Sequence, residues 1–344
     1  MGRDAGAGLL SPRDALSRRS WDESDVRVRP GRGSRPRTKD RPAHDDAVEA
    51  MVVTVDRGRW GVVLDGDPDR PAVAMRAREL GRTPVVVGDR VDVVGDTSGA
   101  PDSLARIVRV HDRSTVLRRT ADDTDPYERI VVANADQLVV VVALADPPPR
   151  TGLVDRCLVA ALAGGLRPLL CLTKADLAAP DEMAAAYADL EVGVVVLDQR
   201  SDLGELTGLL DGAVSALVGH SGVGKSTLVN RLVPDAHRAT GVVSGVGKGR
   251  HTSTQSLALP LAGGGWVVDT PGLRSFGLAH VGPDDVLAAF DDLAAAAQAC
   301  PRGCTHLGPP ADPECALDGL TGASGARVAA VRRLLVAVRS NDAH

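Results

Sequence analysis

The octapeptide Gly219-His220-Ser221-Gly222-Val223-Gly224-Lys225-Ser226 constrains the fold more than any other stretch of this chain. It fits the phosphate-loop pattern G-x-x-x-x-G-K-[ST], which works where a buried strand delivers the chain into a glycine-rich turn and a helix begins directly after it. The apolar run 214–218 reads as that strand and residues 225–232 as the helix. The glycines let backbone N–H groups converge on phosphate oxygens. Lys225 is placed to reach the β- and γ-phosphates and Ser226 to ligate Mg²⁺, so Gly219 to Thr227 are the expected phosphate-binding residues. A parallel α/β sheet follows from this motif and from the segments around it. The run 137–145 is continuously apolar, as in a strand buried on both faces. Helical and strand patterns then alternate through residues 153–163, 169–172, 183–190 and 193–197, and a last strand, 265–268, ends at Asp269.

Two short motifs gain weight from this context. Asp269-Thr270-Pro271-Gly272 places an acidic group at a strand end, where a Mg²⁺ determinant belongs, with Gly272 offering a backbone N–H to the γ-phosphate. Thr173-Lys174-Ala175-Asp176 resembles the guanine-reading N-K-x-D motif of GTPases. Asp176 would accept from the N1–H and exocyclic amine of guanine, which adenine does not offer, and Lys174 would lie over the base. Thr173 stands where Asn is usual. Lysine is scarce here: Lys39, Lys174, Lys225 and Lys248 are the only four among 40 basic residues, so one falling in this motif is informative.

The motif order is unusual. The guanine motif at 173–176 precedes the phosphate loop at 219–226, and D-T-P-G comes last, which is what a circularly permuted chain would show. In this the chain resembles the ribosome small-subunit-dependent circularly permuted GTPases of the RsgA/YjeQ type. The likeness covers roughly residues 47–320. It is carried further by Val87-Gly88-Asp89-Arg90-Val91, Ala133-Asn134-Ala135-Asp136-Gln137, Asp155-Arg156-Cys157-Leu158 and Gly249-Arg250-His251-Thr252. The resemblance implies an OB-fold barrel, a permuted GTPase domain and a C-terminal helical zinc domain. It also implies GTP hydrolysis to GDP and phosphate, stimulated by the small ribosomal subunit during late maturation of that subunit. Two departures stand out: Thr173 replaces Asn, and Val196-Leu197-Asp198-Gln199 lacks the Ser-rich base-contacting motif. Ser215-Ala216 imitates that motif but lies in the strand entering the phosphate loop.

Catalysis needs a group to orient water. Many GTPases use a Gln after D-x-x-G, but Leu273 occupies that position. His251, after the Gly-rich stretch 241–250, is the expected replacement, with His220 as its competitor. Thr252 is the expected Mg²⁺-sensing switch hydroxyl, with Thr254 close behind.

Cys300-x3-Cys304-x-His306-x8-Cys315 offers three thiolates and one imidazole, the closed tetrahedral set typical of one structural zinc per chain. Cys157 and Cys171 sit in apolar patterns and read as buried small hydrophobes.

The 344-residue length calls for more than one domain. Residues 1–46 read as a disordered tail, the first 44 holding 11 basic and six acidic residues. Residues 47–120 hold about five short β-branched runs (52–55, 60–64, 72–76, 85–94 and 106–110) broken by Gly, Asp and Pro, as in a small closed barrel of the OB or SH3 kind. Residues 121–282 form the expected GTPase domain and 283–344 the zinc-binding domain, with helices over 283–298 and 325–339. Net charge is −5, which excludes a uniformly basic nucleic-acid coat, and no apolar run is long enough for a membrane helix. A cytoplasmic monomer binding GTP or GDP, Mg²⁺ with the nucleotide, and the small subunit with its rRNA is expected, without a membrane partner. The phosphate loop alone also fits a phosphotransferase acting on a metabolite or a non-enzymatic RNA-binding protein stabilised by nucleotide. Asp176 separates the former from a GTPase, and turnover with added subunits the latter.

Overall fold

The computed structural model of the chain describes residues 44–56, 58–65, 67–100, 102–119, 129–234, 256–270, 278 and 281–342. The predicted tail is therefore outside the described residues, apart from its last three positions.

Five strands close the barrel: β1 (Val48–Asp56), β2 (Arg59–Leu64), β3 (Asp67–Arg76), β4 (Arg90–Gly95) and β5 (Ala105–Val110). They pair in the order β1-β2-β3-β5-β4 with β4 returning to β1. Only β3 and β5 run parallel, the pairing of an OB-like barrel. Inward residues such as Val52, Val62, Ala74, Val91 and Ile107 are fully buried. Trp60 is buried with them, its indole N–H donating to the Val85 carbonyl at 3.0 Å. The run 85–94, expected as one strand, is divided. The Asp89 carboxylate accepts from the Val86 N–H at 2.7 Å, turning the chain before β4 begins at Arg90.

That turn is also the joint between the barrel and the rest of the chain. Gly88 has φ +88°, and a Cβ there would fall 1.9 Å from the Ala133 carbonyl oxygen. Only glycine allows so close an approach. The Asn134 amide donates to the Gly88 carbonyl at 3.0 Å and accepts from the Ser114 N–H at 2.9 Å. The fully buried Asp89 is held bidentately by Arg113, at 2.7 and 2.9 Å. The sequence matches at 87–91 and 133–137 thus meet in space. A hairpin of β6 (Val116–Arg119) and β7 (Arg129–Ala133), which the sequence pattern did not reveal, leads away from this joint.

The α/β part runs β8 (Gln137–Ala143), α1 (Thr151–Ala163), β9 (Arg167–Thr173), α2 (Asp181–Tyr187), β10 (Gly193–Val196), α3 (Gly204–Leu210), β11 (Val214–Val218), α4 (Lys225–Leu232), β12 (Leu257–Pro260) and β13 (Trp266–Asp269). Strand order is β10-β9-β8-β11-β13-β12, parallel except for β12. All seven residues of β8 are buried, as its unbroken apolar sequence requires. A single pairing, Thr54 with Leu257, joins β12 to the barrel strand β1. Ser215 is buried within β11 and accepts from the Gln137 amide at 2.8 Å, so it faces no base.

The C-terminal part holds α5 (Pro283–Leu287), α6 (Asp291–Ala297) and α7 (Gly322–Asp342) around the cysteine cluster. The helix expected over 283–298 is broken at 288–290, where Phe290 is buried in extended backbone. Among the described residues no helix is long and apolar enough to cross a membrane.

Candidate functional site

The phosphate loop leaves β11 at Val218 and enters α4 at Lys225. Gly222 and Gly224 have φ of +84° and +96°, which L side chains rarely adopt. A Cβ at Gly219 would lie 2.6 Å from the Val141 carbonyl oxygen. The loop packs against β8, and beyond it Ser226 and Thr227 are exposed at the start of α4. The Lys225 ammonium donates to Asp269 Oδ1 and, at 3.2 Å, to the Thr270 carbonyl. It therefore already bridges the phosphate loop and the end of β13. The Thr270 hydroxyl donates back to the Leu217 carbonyl at 2.5 Å, fixing β13 against β11.

Thr173 ends β9 on the same edge of the sheet. Its hydroxyl is buried and lies 2.6 Å from the Val223 carbonyl, in the phosphate loop, and 3.3 Å from the Val142 carbonyl. The residue that departs from N-K-x-D thus ties the guanine motif to the phosphate loop. Lys174 has φ +60° and donates to the Asp146 carbonyl. Asp176 is exposed beyond it, with Ala175 N–H held by the Leu197 carbonyl at 3.1 Å. The structure gathers Thr173–Asp176, Gly219–Thr227 and Asp269 at the carboxyl ends of β9, β11 and β13. That is where open α/β sheets bind their ligands. His220 is half-buried, its Nδ1 3.0 Å from the Ser221 carbonyl. His251, Thr252, Thr254, Gly272 and Leu273 lie outside the described residues.

A groove of about 820 Å³ runs beside this loop, lined by Arg150, Asp155, Arg156, His220, Ser221 and Arg333. One wall is a polar cluster that sequence reasoning missed. The buried Asp155 on α1 accepts from the Tyr187 hydroxyl at 3.0 Å and from Arg333 on α7 at 3.4 Å. Arg333 also donates to the Ala186 carbonyl at 2.9 Å and stacks 4.7 Å from the Tyr187 ring centre. Burial raises the Asp155 pKa above the usual carboxylate range, against the pull of Arg333. Residues 155–158 signalled the cluster only as a sequence match, because Arg333 lies far away in sequence. Burial also raises the thiol pKa of Cys157 and pushes Cys171 up to about 12, so both are inert packing groups.

In the C-terminal part, the ligand atoms of Cys300, Cys304, His306 and Cys315 all lie within 4.8 Å of one another. His306 Nδ1 faces the cluster, 3.5 Å from Cys300 Sγ. Its Nε2 is 3.2 Å from Asp284 Oδ1, a carboxylate partner of the kind that orients metal-binding imidazoles. The His306 N–H donates to Cys304 Sγ at 3.4 Å and the Ala316 N–H to Cys300 Sγ at 3.3 Å, as thiolate ligands favour. Asp312 ties the loop, accepting from the Thr305 N–H and hydroxyl and from the Leu307 N–H. The donor set and its orientation fit a metal ion. Glu49, Asp92 and His111 form a second group on the barrel. There both Asp92 oxygens are engaged at 2.6 Å, one by the Arg109 guanidinium and one by the His111 ring.

A phosphate loop preceded in the chain by its guanine motif, behind an OB-like barrel, defines a circularly permuted GTPase. Residues 110–279 match the family described as RsgA GTPase. The "Small ribosomal subunit biogenesis GTPase RsgA" of Gemmatimonas aurantiaca is 37% identical over 278 residues, covering 78% of this chain and 89% of that protein. The protein of the same name from Chlorobaculum parvum is 35% identical over 283 residues, covering 77% and 89%. The chain belongs to the RsgA GTPase family. Its fold is also that of two crystal structures. YjeQ from Thermotoga maritima has TM-score 0.60 and 24% identity over 84% of this chain and 99% of that one. YloQ, described as a circularly permuted GTPase, has TM-score 0.59 and 22% identity over 88% and 98%.

Proposed function

We propose that this GTPase binds the small ribosomal subunit and hydrolyses GTP during late maturation of that subunit, which stimulates the hydrolysis. The observation that carries the nucleotide reading is the Thr173–Val223 contact, which holds the guanine motif and the phosphate loop in one site. The partner follows from family membership, since the relatives are named for small-subunit biogenesis.

In this reading Asp176 selects guanine and Lys174 covers the base. The N–H groups of residues 219–227 cradle the phosphates. Lys225 exchanges its contact with Asp269 for the β- and γ-phosphates. Ser226 and Thr252 hold Mg²⁺, which neutralises phosphate charge when bound, and Gly272 contacts the γ-phosphate. His251 orients the attacking water. Cys300, Cys304, His306 and Cys315 hold one zinc ion, which supplies folding energy and no chemistry because no ligand position stays open. The functional division is 47–120 for the barrel, 121–282 for the GTPase domain and 283–344 for the zinc domain, preceded by the tail 1–46. The protein works as a cytoplasmic monomer against rRNA.

The test is the GTPase rate with and without purified small subunits. Stimulation by small subunits and not by large ones is expected. An unchanged rate would overturn the assignment of partner.

A further inference from the structure

The segment where a Ser-rich base-contacting motif was expected is ordered by a different device. The chain leaves β10 at Val196, and the Leu197 N–H donates to the Leu172 carbonyl at 2.7 Å. The Leu197 carbonyl accepts from Ala175, inside the guanine motif. Beyond it the chain closes on itself. The Asp198 carboxylate accepts from the Arg200 N–H at 2.6 Å and the Ser201 N–H at 2.5 Å, while the Asp198 N–H donates to the Ser201 hydroxyl at 2.8 Å. These bonds hold the carboxylate below its usual pKa, the backbone bond from Arg200 foremost.

Closing the turn directs two of its carbonyls toward α4. There Arg231 donates to the Ser201 carbonyl and, at 3.5 Å, to that of Asp198. Arg231 lies in the helix that begins at Lys225, so its guanidinium joins the phosphate-binding helix to a turn fixed on its other side to Ala175. A planar guanidinium spanning two carbonyls sets orientation as well as distance.

We propose that Arg231 is a positioning residue for guanine recognition: with Asp198 it holds residues 197–201 as the wall of the base site beside Asp176. This rests on the nucleotide reading above. The clamp orders the segment from which the base-contacting serines are missing and transmits the position of the phosphate helix to the base site. Arg231 acts through these two carbonyls rather than on the nucleotide itself.

The experiment measures GDP and ADP affinity of the full chain by calorimetry, with kcat and KM for GTP. Arg231→Ala should weaken GDP about tenfold, as for loss of a charge-assisted hydrogen bond that pre-orders a loop. ADP affinity should stay unchanged, so the GDP:ADP ratio falls. KM should rise with kcat preserved. Asp198→Ala should reproduce the effect, while Asp198→Asn, whose amide oxygen still accepts the two N–H bonds, should restore most of the ratio. An unchanged ratio in Arg231→Ala, or GDP and ADP weakened together, would overturn the clamp. Absence of any GDP preference in the unmodified protein would instead overturn the nucleotide reading, so the two failures are distinguishable.

Discussion

The Thr173 hydroxyl lies 2.6 Å from the carbonyl oxygen of Val223, in the middle of the phosphate loop. The two residues are 50 positions apart, in an order that permutation has reversed, yet the contact ties segment 173–176 directly to the phosphate loop. Thr173→Val keeps the shape and removes the donor. It should cost about 1 kcal/mol of stability, the usual net worth of one such bond, and weaken GDP binding. Thr173→Ser, which retains the hydroxyl, should preserve affinity. Equal GDP affinity in the wild-type and Val variants, measured by calorimetry, would show the contact to be incidental.

Lys225 rests on Asp269, and in the proposed nucleotide site it exchanges that partner for phosphate oxygens. Lys225→Ala should therefore abolish productive GTP binding, because it removes the charge expected to face the β- and γ-phosphates. Fluorescent-nucleotide titration checks this. Normal affinity and turnover in the variant would remove the loop from the mechanism.

His251→Ala should lower subunit-stimulated kcat by about 10²-fold or more while leaving GTP affinity nearly unchanged, as for a group used in the transition state. His220→Ala is the matched control. A large loss in His220→Ala with none in His251→Ala would transfer the role to the phosphate-loop histidine.

Zinc should be present near one per chain. Cys304→Ser or chelation should unfold the cluster between α5 and α7, since metal-binding energy there is folding energy. The loss should be visible as a lower Tm. Metal analysis of freshly purified protein finding none would refute the assignment.

Arg333 fastens α7 to Asp155 on α1, so the C-terminal part is tied to the nucleotide-binding part by more than the chain passing between them. Arg333→Met should cost about 1–2 kcal/mol, a buried-pair loss reduced by the partial exposure of the guanidinium. The pH dependence has a definite sign. Burial makes the folded Asp155 carboxyl bind its proton more tightly than the unfolded one. The added penalty in the variant is therefore absent below the ordinary carboxylate pKa and grows as pH rises through the elevated one. Urea melts of both proteins from acid to neutral pH read this directly, and a difference that shrinks as pH rises would contradict it.

The order of amino acids suffices for the parts that depend on local pattern. Gly222 and Gly224 with Lys225 specify a strand–loop–helix phosphate site because only that backbone places the N–H groups. The run 137–145 specifies a strand buried on both faces. The cysteine and histidine spacing specifies a metal-ligand set, and the order of motifs reveals the permutation. Tertiary structure decided what depends on distant groups meeting. Thr173 looks like a defect in a motif until Val223 comes within hydrogen-bond reach. Asp198 looks like a missing serine until Arg231 reaches the carbonyls of its turn from α4. Gly88 and Asn134 lie 46 positions apart and become one joint only when the barrel docks on β7. Asp155, Tyr187 and the half-exposed Arg333 form a cluster drawn from three helices. A side chain's spacing along the chain records the periodicity of its own element, whereas its partner across a packed interface is set by how whole elements dock.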